Sequence, residues 1–212
     1  MMKNNNSEFV KVCKIEKRDK GKYCICFETG IHCLVYGYEI RGMKLEEDTY
    51  ISKEQYQHII KEIVGKRAKK RAMHLLERMD RTEQELREKL MSSDYPEECV
   101  DDAIAYVKGF HYLDDSRYAE NFTRYSKEKL SRQQIKQKLI SKGIAKDLIE
   151  DAIDSEYDAD ERMHIRKLLV KKHFDSCNCD ESEFRRIYQY ILRRGFHSND
   201  ILKEMKSFQE PL

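Results

Sequence analysis

Five apolar positions recur at the same offsets around three centres, and this recurrence constrains the fold of the chain more than anything else in it. Around Gly143 they are Ile135, Leu139, Ile144, Ile149 and Ile153. Around Asp94 they are Leu86, Leu90, Tyr95, Val100 and Ile104, and around Gly195 they are Ile187, Ile191, Phe196, Ile201 and Met205. All fifteen positions are apolar in a chain with 40% apolar residues, and the centres are 49 and 52 residues apart. A period near fifty residues built of helices describes a tandem array, in which each unit buries its apolar face against its own helices and its neighbours.

The middle copy shows what one unit contains. After a turn from Gly109 to Leu113, Asp114 or Asp115 can cap a helix, because an Asx side chain accepts bonds from the first free N–H groups. Tyr118, Ala119, Phe122 and Tyr125 then fall on one face at helical spacing. Ser131 with Gln134 has the capping-box pattern and restarts the helix. Gly143 is a natural stop, since glycine takes a positive φ without a Cβ penalty. A third helix starts near Lys146. Each helix is too short to be stable alone. In the first copy Thr82 with Glu85 repeats the box, on a chain that continues from a helix bearing Ala72, Leu75, Leu76 and Met79. The third copy opens with Met163, Ile165, Leu168 and Leu169 and places Ser182 at its second helix, with no acidic or amide partner, and its last helix ends before Pro211.

Upstream of the array the period changes to two. Glu8 to Lys17, Lys22 to Glu28 and Ile31 to Tyr38 are rich in β-formers, with a Thr29-Gly30 turn between the last two. They form a meander that needs support to be stable. Ser52 with Gln55 starts the helix that supplies it, carrying Tyr56, Ile59, Ile60, Ile63 and Val64; this helix runs on or breaks near Gly65. Met1 to Ser7 reads as a polar, disordered start. The expected fold is mainly α: three tandem three-helix repeats in an elongated curved array, preceded by a small N-terminal β-meander. The expected segments are 1–50 for the β-rich extension, 51–110 for the linking helix and first repeat, 111–158 for the second repeat and 159–212 for the third.

Charged residues make up 38% of the chain, yet its formal net charge is only +2. Their distribution is uneven. Arg124 to Lys146 holds eight Lys or Arg and one acid, Glu128, whereas Asp147 to Glu161 holds eight acids and no base. This polarity suggests one basic face and one acidic face. A second basic run, from Lys66 to Arg71, heads the first repeat, and Arg166, Lys167, Lys171, Lys172, Arg185, Arg186, Arg193 and Arg194 lie along the third. Such runs are either partner contacts or solvated helix faces. Seven cysteines with no apolar leader at Met1 to Ser7 read as reduced thiols in a cytoplasmic protein. Cys24 with Cys26 and Cys177 with Cys179 have C-x-C spacing, narrower than zinc sites use. No run is apolar enough to cross a membrane. Phosphate loops, dinucleotide fingerprints, nucleophile elbows and zinc-helix motifs are missing. His58, His74, His111, His164, His173 and His197 lack ligand spacing, and helix capping accounts for Asp114 and Asp115 better than acid–base work. The chain reads as a binding protein without a cofactor or metal, not an enzyme.

The segment Gly109-Phe110-His111-Tyr112-Leu113-Asp114-Asp115-Ser116-Arg117-Tyr118-Ala119 resembles the G-Y-I-D-D-x-x-F/Y-A signature of the RecX regulatory proteins. Ile135 to Leu139 followed by Lys142-Gly143-Ile144 is similar to that family's I-x-x-x-L-x-x-K-G-I. Phe110, His111 and Leu113 depart from the usual residues but keep the apolar character. The resemblance spans about Lys66 to Phe208. It implies a regulator that binds RecA recombinase assembled on single-stranded DNA and damps its ATPase and strand exchange, in DNA repair and recombination, reaching the DNA through the filament; three capped repeats can serve as a monomer. The residues that would meet phosphates or an acidic protein surface are Lys66, Arg67, Lys69, Lys70 and Arg71 in the first repeat. In the second they are Arg124, Lys127, Lys129, Arg132, Lys136 and Lys138. Near-neutral net charge argues against tight binding to bare duplex. A helix-turn-helix DNA regulator is the alternative; it needs a recognition helix with base-reading side chains near its start, and the helices after Thr82, Ser131 and Ser182 offer none that stands out. A tetratricopeptide scaffold would need a 34-residue period. On this reading Arg132 and Lys136 form the test site: Glu at both should weaken filament inhibition and leave the melting temperature nearly unchanged.

Overall fold

The computed structural model describes residues 8–157, 160–176 and 178–208. The polar start Met1 to Ser7, Asp158 of the acidic run, Cys177 of the second C-x-C pair, and Pro211 lie outside the described residues. The chain forms two compact units, Met1–Asp114 and Asp115–Leu212.

In the first unit, strands β1 (Phe9–Lys17), β2 (Lys22–Phe27) and β3 (His32–Tyr36) form the expected meander. A fourth strand, β4 (Thr49–Ser52), adds to its edge, so the antiparallel order is β3-β2-β1-β4. The sequence reading missed β4 because it is four residues long and ends on the serine that caps the next helix. It also carried the third strand too far. Gly37 and Tyr38 open a short helix, α1 (Gly37–Met43), which the Glu39 carboxylate starts by accepting the Tyr36 N–H at 2.7 Å. The β1–β2 register slips between Val12 and Lys14, with Cys13 as the extra residue. Past that bulge Cys24 and Cys26 face one way, while Ile25 and Phe27 point to the core.

Helix α2 (Lys53–Gln57) continues through a wider π segment (His58–Gly65) into α3 (Lys66–Arg78), with helical backbone at Gln57, Gly65 and Lys66. The helix therefore runs on through Gly65. In the widened turn a Cβ at that glycine would stand 3.2 Å from the Ile60 carbonyl, which instead accepts the Cys99 thiol at 3.4 Å. Only half of the Ser52 box forms. Ser52 accepts the Gln55 N–H, but the Gln55 side chain donates to the Met43 carbonyl. The inner face of the sheet, the linking helix, and α4 (Glu83–Met91) and α5 (Glu97–Gly109) share one core that includes Val12, Ile25, Val35, Ile59, Val64, Leu86, Ile104 and Leu113. That core is the support the meander requires.

The second unit holds α6 (Asp115–Ser126), α7 (Arg132–Ser141) and α8 (Lys146–Glu156), then α9 (Glu161–Lys171), α10 (Glu181–Leu192) and α11 (Ser198–Ser207). Fourteen of the fifteen repeat positions are buried, and Tyr95 is half-buried. All three centres, Asp94, Gly143 and Gly195, are in the left-handed conformation, with φ of 58°, 79° and 80°. The boxes at Thr82 and Ser131 form in full. In the third repeat Asp180, not Ser182, caps the second helix, accepting the Glu183 N–H at 2.7 Å, and the helix starts earlier as a result. Asp114 precedes the first residue of α6 and Asp115 lies in its first turn. The apolar faces need three corrections. Tyr125 is 78% exposed, because Ala119 and Thr123 centre the buried stripe of α6 and Tyr125 lies on its far side. Met79 follows the end of α3 and is exposed, and Met163 faces out while its neighbour His164 is buried.

Gly195 is the tightest point of the second unit. A Cβ there would stand 2.9 Å from Gln133 Cβ and 3.2 Å from Ser131 Oγ, at a φ that already strains an L side chain. Gly195→Ala should therefore lower unfolding free energy by at least about 1 kcal/mol, whereas Asp94→Gly, which relieves the same backbone strain in open surroundings, should raise it by a few tenths to about 1 kcal/mol; urea titration of both variants measures this. Burial pushes the Cys33 and Cys99 thiols up to about 12. Under native conditions at mildly alkaline pH, iodoacetamide should modify exposed Cys13 and spare Cys33 and Cys99 until the chain unfolds.

Candidate partner-binding surface

The two oppositely charged runs of the second repeat are not separate faces throughout: Arg124, Arg132 and Lys136 of the basic run pair with acids of the other. Packing of α6 and α7 against α8 brings Arg124 to Glu156 in a two-pronged contact at 2.9 and 2.6 Å. Arg132 reaches Asp154 at 3.1 Å and lies over the Tyr157 ring at 5.1 Å, and Lys136 pairs with Glu150. Donating hydrogen bonds to the Glu156 carboxylate raises the Arg124 pKa above its ordinary value. The pairing belongs to the repeat itself. Arg87 and Asp101 stand at the same offsets from Asp94 as Lys136 and Glu150 do from Gly143, and they too are paired, at 2.6 Å. The third copy has Tyr188 and Leu202 there and so carries no charge pair at these offsets. Sequence alone showed two stripes of opposite sign but not that the helical hairpin folds one onto the other.

The remaining expected cations divide in the same way. Arg67 is an internal strut: it donates to the Leu34 carbonyl at 2.9 Å, pairs with Glu39 at 2.5 Å and covers the Tyr36 ring. Lys66 pairs with Glu62 one turn earlier, at 2.8 Å. Lys127 is half-buried and Lys69 lies over the Tyr106 ring at 5.6 Å. Lys70, Arg71, Lys129 and Lys138 are exposed and make no ion pair among the described residues. In the third repeat the split is even. Arg166 pairs with the buried Glu204, Lys167 with Glu128, Arg185 with Glu181 and Arg186 with Glu183. Lys171, Lys172, Arg193 and Arg194 pair with no carboxylate among the described residues.

One exposed feature was absent from the sequence reading. Tyr106, Phe110 and Tyr112 form a ladder at the end of α5, with centroids 4.9 and 6.1 Å apart. Phe110 is 57% exposed. The ladder exists because α5 includes Gly109 and the chain turns at His111, whose φ is +58°, so Phe110 and Tyr112 project outward while Leu113 enters the core. The aromatic spacing of Phe110-His111-Tyr112 was the available signal. The second helices of the repeats offer little for base reading at their starts: α4 opens Glu83-Gln84-Glu85, Gln134 is used in capping α7, and α10 opens on Glu181.

The described residues contain no cluster of three or more His, Cys, Asp or Glu able to hold a metal ion, and no described helix is long and apolar enough to cross a membrane. Family models for the first and second three-helix domains of RecX match residues 68–114 and 114–153. The regulatory protein RecX of Caldanaerobacter subterraneus is 29% identical over 196 residues, covering 92% of this chain and 98% of the relative. That of Vibrio cholerae is 35% identical over 136 residues, covering 61% of this chain and 86% of the relative. This chain belongs to the RecX family of regulatory proteins. Two crystal structures share its fold: one of regulatory protein RecX, with a TM-score of 0.61 at 24% identity over 92% of this chain and all of the other, and RecX from Lactobacillus salivarius, with a TM-score of 0.56 at 23% identity over 68% and 98%. The two matched family domains are the first two three-helix repeats.

The Arg132–Lys136 test site must be revised on this geometry. Reversing both charges sets each against a carboxylate that it now neutralises, so the double Glu variant should melt about 3–6 °C lower. Adding Glu150→Lys and Asp154→Lys should restore most of the loss, as differential scanning calorimetry would show.

Proposed function

We propose that this protein binds the RecA filament assembled on single-stranded DNA and lowers its ATPase and strand-exchange rates. Membership of the RecX family carries this reading. The surface adds two kinds of support. Lys70, Arg71, Lys129 and Lys138 are not spent on internal pairs, so they are available to phosphates or acidic protein surface. The Tyr106–Phe110–Tyr112 ladder offers rigid, exposed aromatic area of the sort that anchors protein interfaces. A body that bridges neighbouring recombinase subunits would hold them in register, and turnover falls when subunits cannot cycle through their conformations. The protein acts as a monomer in the cytoplasm, without cofactor.

The test is a titration of RecA ATPase on single-stranded DNA. Inhibition well below one protein per recombinase subunit would indicate capping of the growing filament end, and inhibition only near one per few subunits would indicate groove occupancy. No inhibition of RecA from the same cell would refute the proposal. Phe110→Ala with Tyr112→Ala should raise the concentration for half-inhibition about ten-fold or more while leaving the melting temperature within a few degrees, because both rings are exposed.

A further inference from the structure

The sheet has an outer face that the core does not use, and it carries two thiols among charged side chains. On β2 Cys24 and Cys26 point away from the core, on the opposite side from Ile25 and Phe27. Cys26 is half-buried, and Cys24 is only 6% exposed. The register sets Glu16 and Leu34 beside Cys24, and Lys14 and His32 beside Cys26. Lys14 and Arg18 both reach Glu16, Arg18 at 3.1 Å, and the Arg18 N–H holds the β1–β2 turn by donating to the Lys22 carbonyl at 2.8 Å. Burial pushes the Cys24 thiol up, the neighbouring Cys26 adds to the rise and Arg18 opposes it. Two residues apart on a strand, the cysteines have Cα atoms separated by about 6.6 Å and side chains that stand parallel. Their Cβ atoms are therefore as far apart as the backbone, whereas a disulfide needs Cβ atoms about 3.8 Å apart. The same spacing suits two sulfurs joined through one metal ion, about 4.6 Å apart across two metal–sulfur bonds.

We propose that Cys24 and Cys26 form a two-coordinate site for a soft monovalent metal ion, Cu(I) above all. Thiolate ligands select such ions. His32 stands beside Cys26 in register, yet among the described residues no group of three His, Cys, Asp or Glu is assembled, so the four ligands of a structural zinc site are not in place. Binding replaces two S–H bonds with two Cu–S bonds and releases both protons to water, with no change in oxidation state. The product is a bis-thiolate carrying one net negative charge. Lys14 and Arg18 stand at its rim with charge of the right sign, and the cover over Cys24 shields the metal–sulfur bonds from water. The site goes beyond the recombinase reading: it lies on the sheet, outside the residues 68–153 that the family models match, and it needs no RecA.

Titration of the reduced full chain with Cu(I) under argon, in competition with the chelator bathocuproine disulfonate, tests this. The chain carries Cys177→Ser and Cys179→Ser, so that the other C-x-C pair is removed. One equivalent should bind. Cys26→Ser should then lower the affinity about 100-fold or more, because the second thiolate acts at high effective concentration. Cys26 is half-buried, so this variant should keep the parent melting temperature. Cys24→Ser should lose as much affinity, and Cys13→Ser, on the exposed bulge, should change little. X-ray absorption at the copper edge should show two sulfur neighbours, and Zn(II) should not compete. The proposal is overturned if no Cu(I) binds against the chelator, if Cys26→Ser keeps the parent affinity, or if Cys13→Ser loses as much. It is also overturned if Zn(II) displaces the ion, or if diamide joins Cys24 to Cys26 in the native chain. The recombinase titration is run without copper and this one without RecA, so failure of either leaves the other standing.

Discussion

The three repeats depend on one backbone event: a single left-handed residue that reverses the chain between the second and third helices. With φ near 60–80° at Asp94, Gly143 and Gly195, the next residue swings inward. Tyr95, Ile144 and Phe196 then meet the apolar stripes of the helices on either side. Ile144 N–H bonds back to the Leu139 carbonyl at 3.2 Å, which closes the C-terminal turn of α7 and satisfies a group that helix ends leave open. The fixed offsets of the buried residues follow from that turn. A helix that ended one residue later would rotate its successor's apolar stripe by about 100° out of the core.

Charge in this molecule is arranged along the same hairpin. Because the turn lays the third helix against the second, bases on one come to lie beside acids on the other, as with Arg87 and Asp101 or Lys136 and Glu150. Each pair is worth little in free energy on an exposed surface. Its larger effect is subtraction: a cation that has a carboxylate within contact is a poor candidate for a phosphate. In a chain with 41 basic and 39 acidic residues the net charge conveys almost nothing about partners, and the pairing of individual cations says more. Exposed cations with no ion pair among the described residues include Lys70 and Arg71 on α3 and Lys129 and Lys138 in the second repeat.

The period of the buried residues, the capping boxes and the meander were legible because each rests on local chemistry. Ser131 and Thr82 cap where their spacing to Gln134 and Glu85 requires. What escaped was tertiary. Strand β4 is defined by its pairing with β1, not by its composition. Tyr125 has the spacing of a core residue but shares the helix with Thr123, which takes the inner position instead. Arg67 belongs to a basic run by sequence, yet its role depends on a carbonyl and a carboxylate some thirty positions away, at Leu34 and Glu39. The aromatic ladder required knowing that the left-handed residue after α5 is His111 and not Gly109. In each case the missing fact was which face a neighbour would occupy.

The Ser131 hydroxyl does two things at once. It accepts the Gln134 N–H as a helix cap and donates its own proton to the Arg194 carbonyl at 2.6 Å, in the turn of the third repeat. An ordinary N-cap tolerates aspartate as readily as serine. Here an ionised aspartate would keep the cap but have no proton to give, and would set a charge against a carbonyl oxygen in a buried place. The range of residues that position 131 can accept is therefore set by the following repeat as much as by its own helix, and the two repeats are constrained to vary together at that junction.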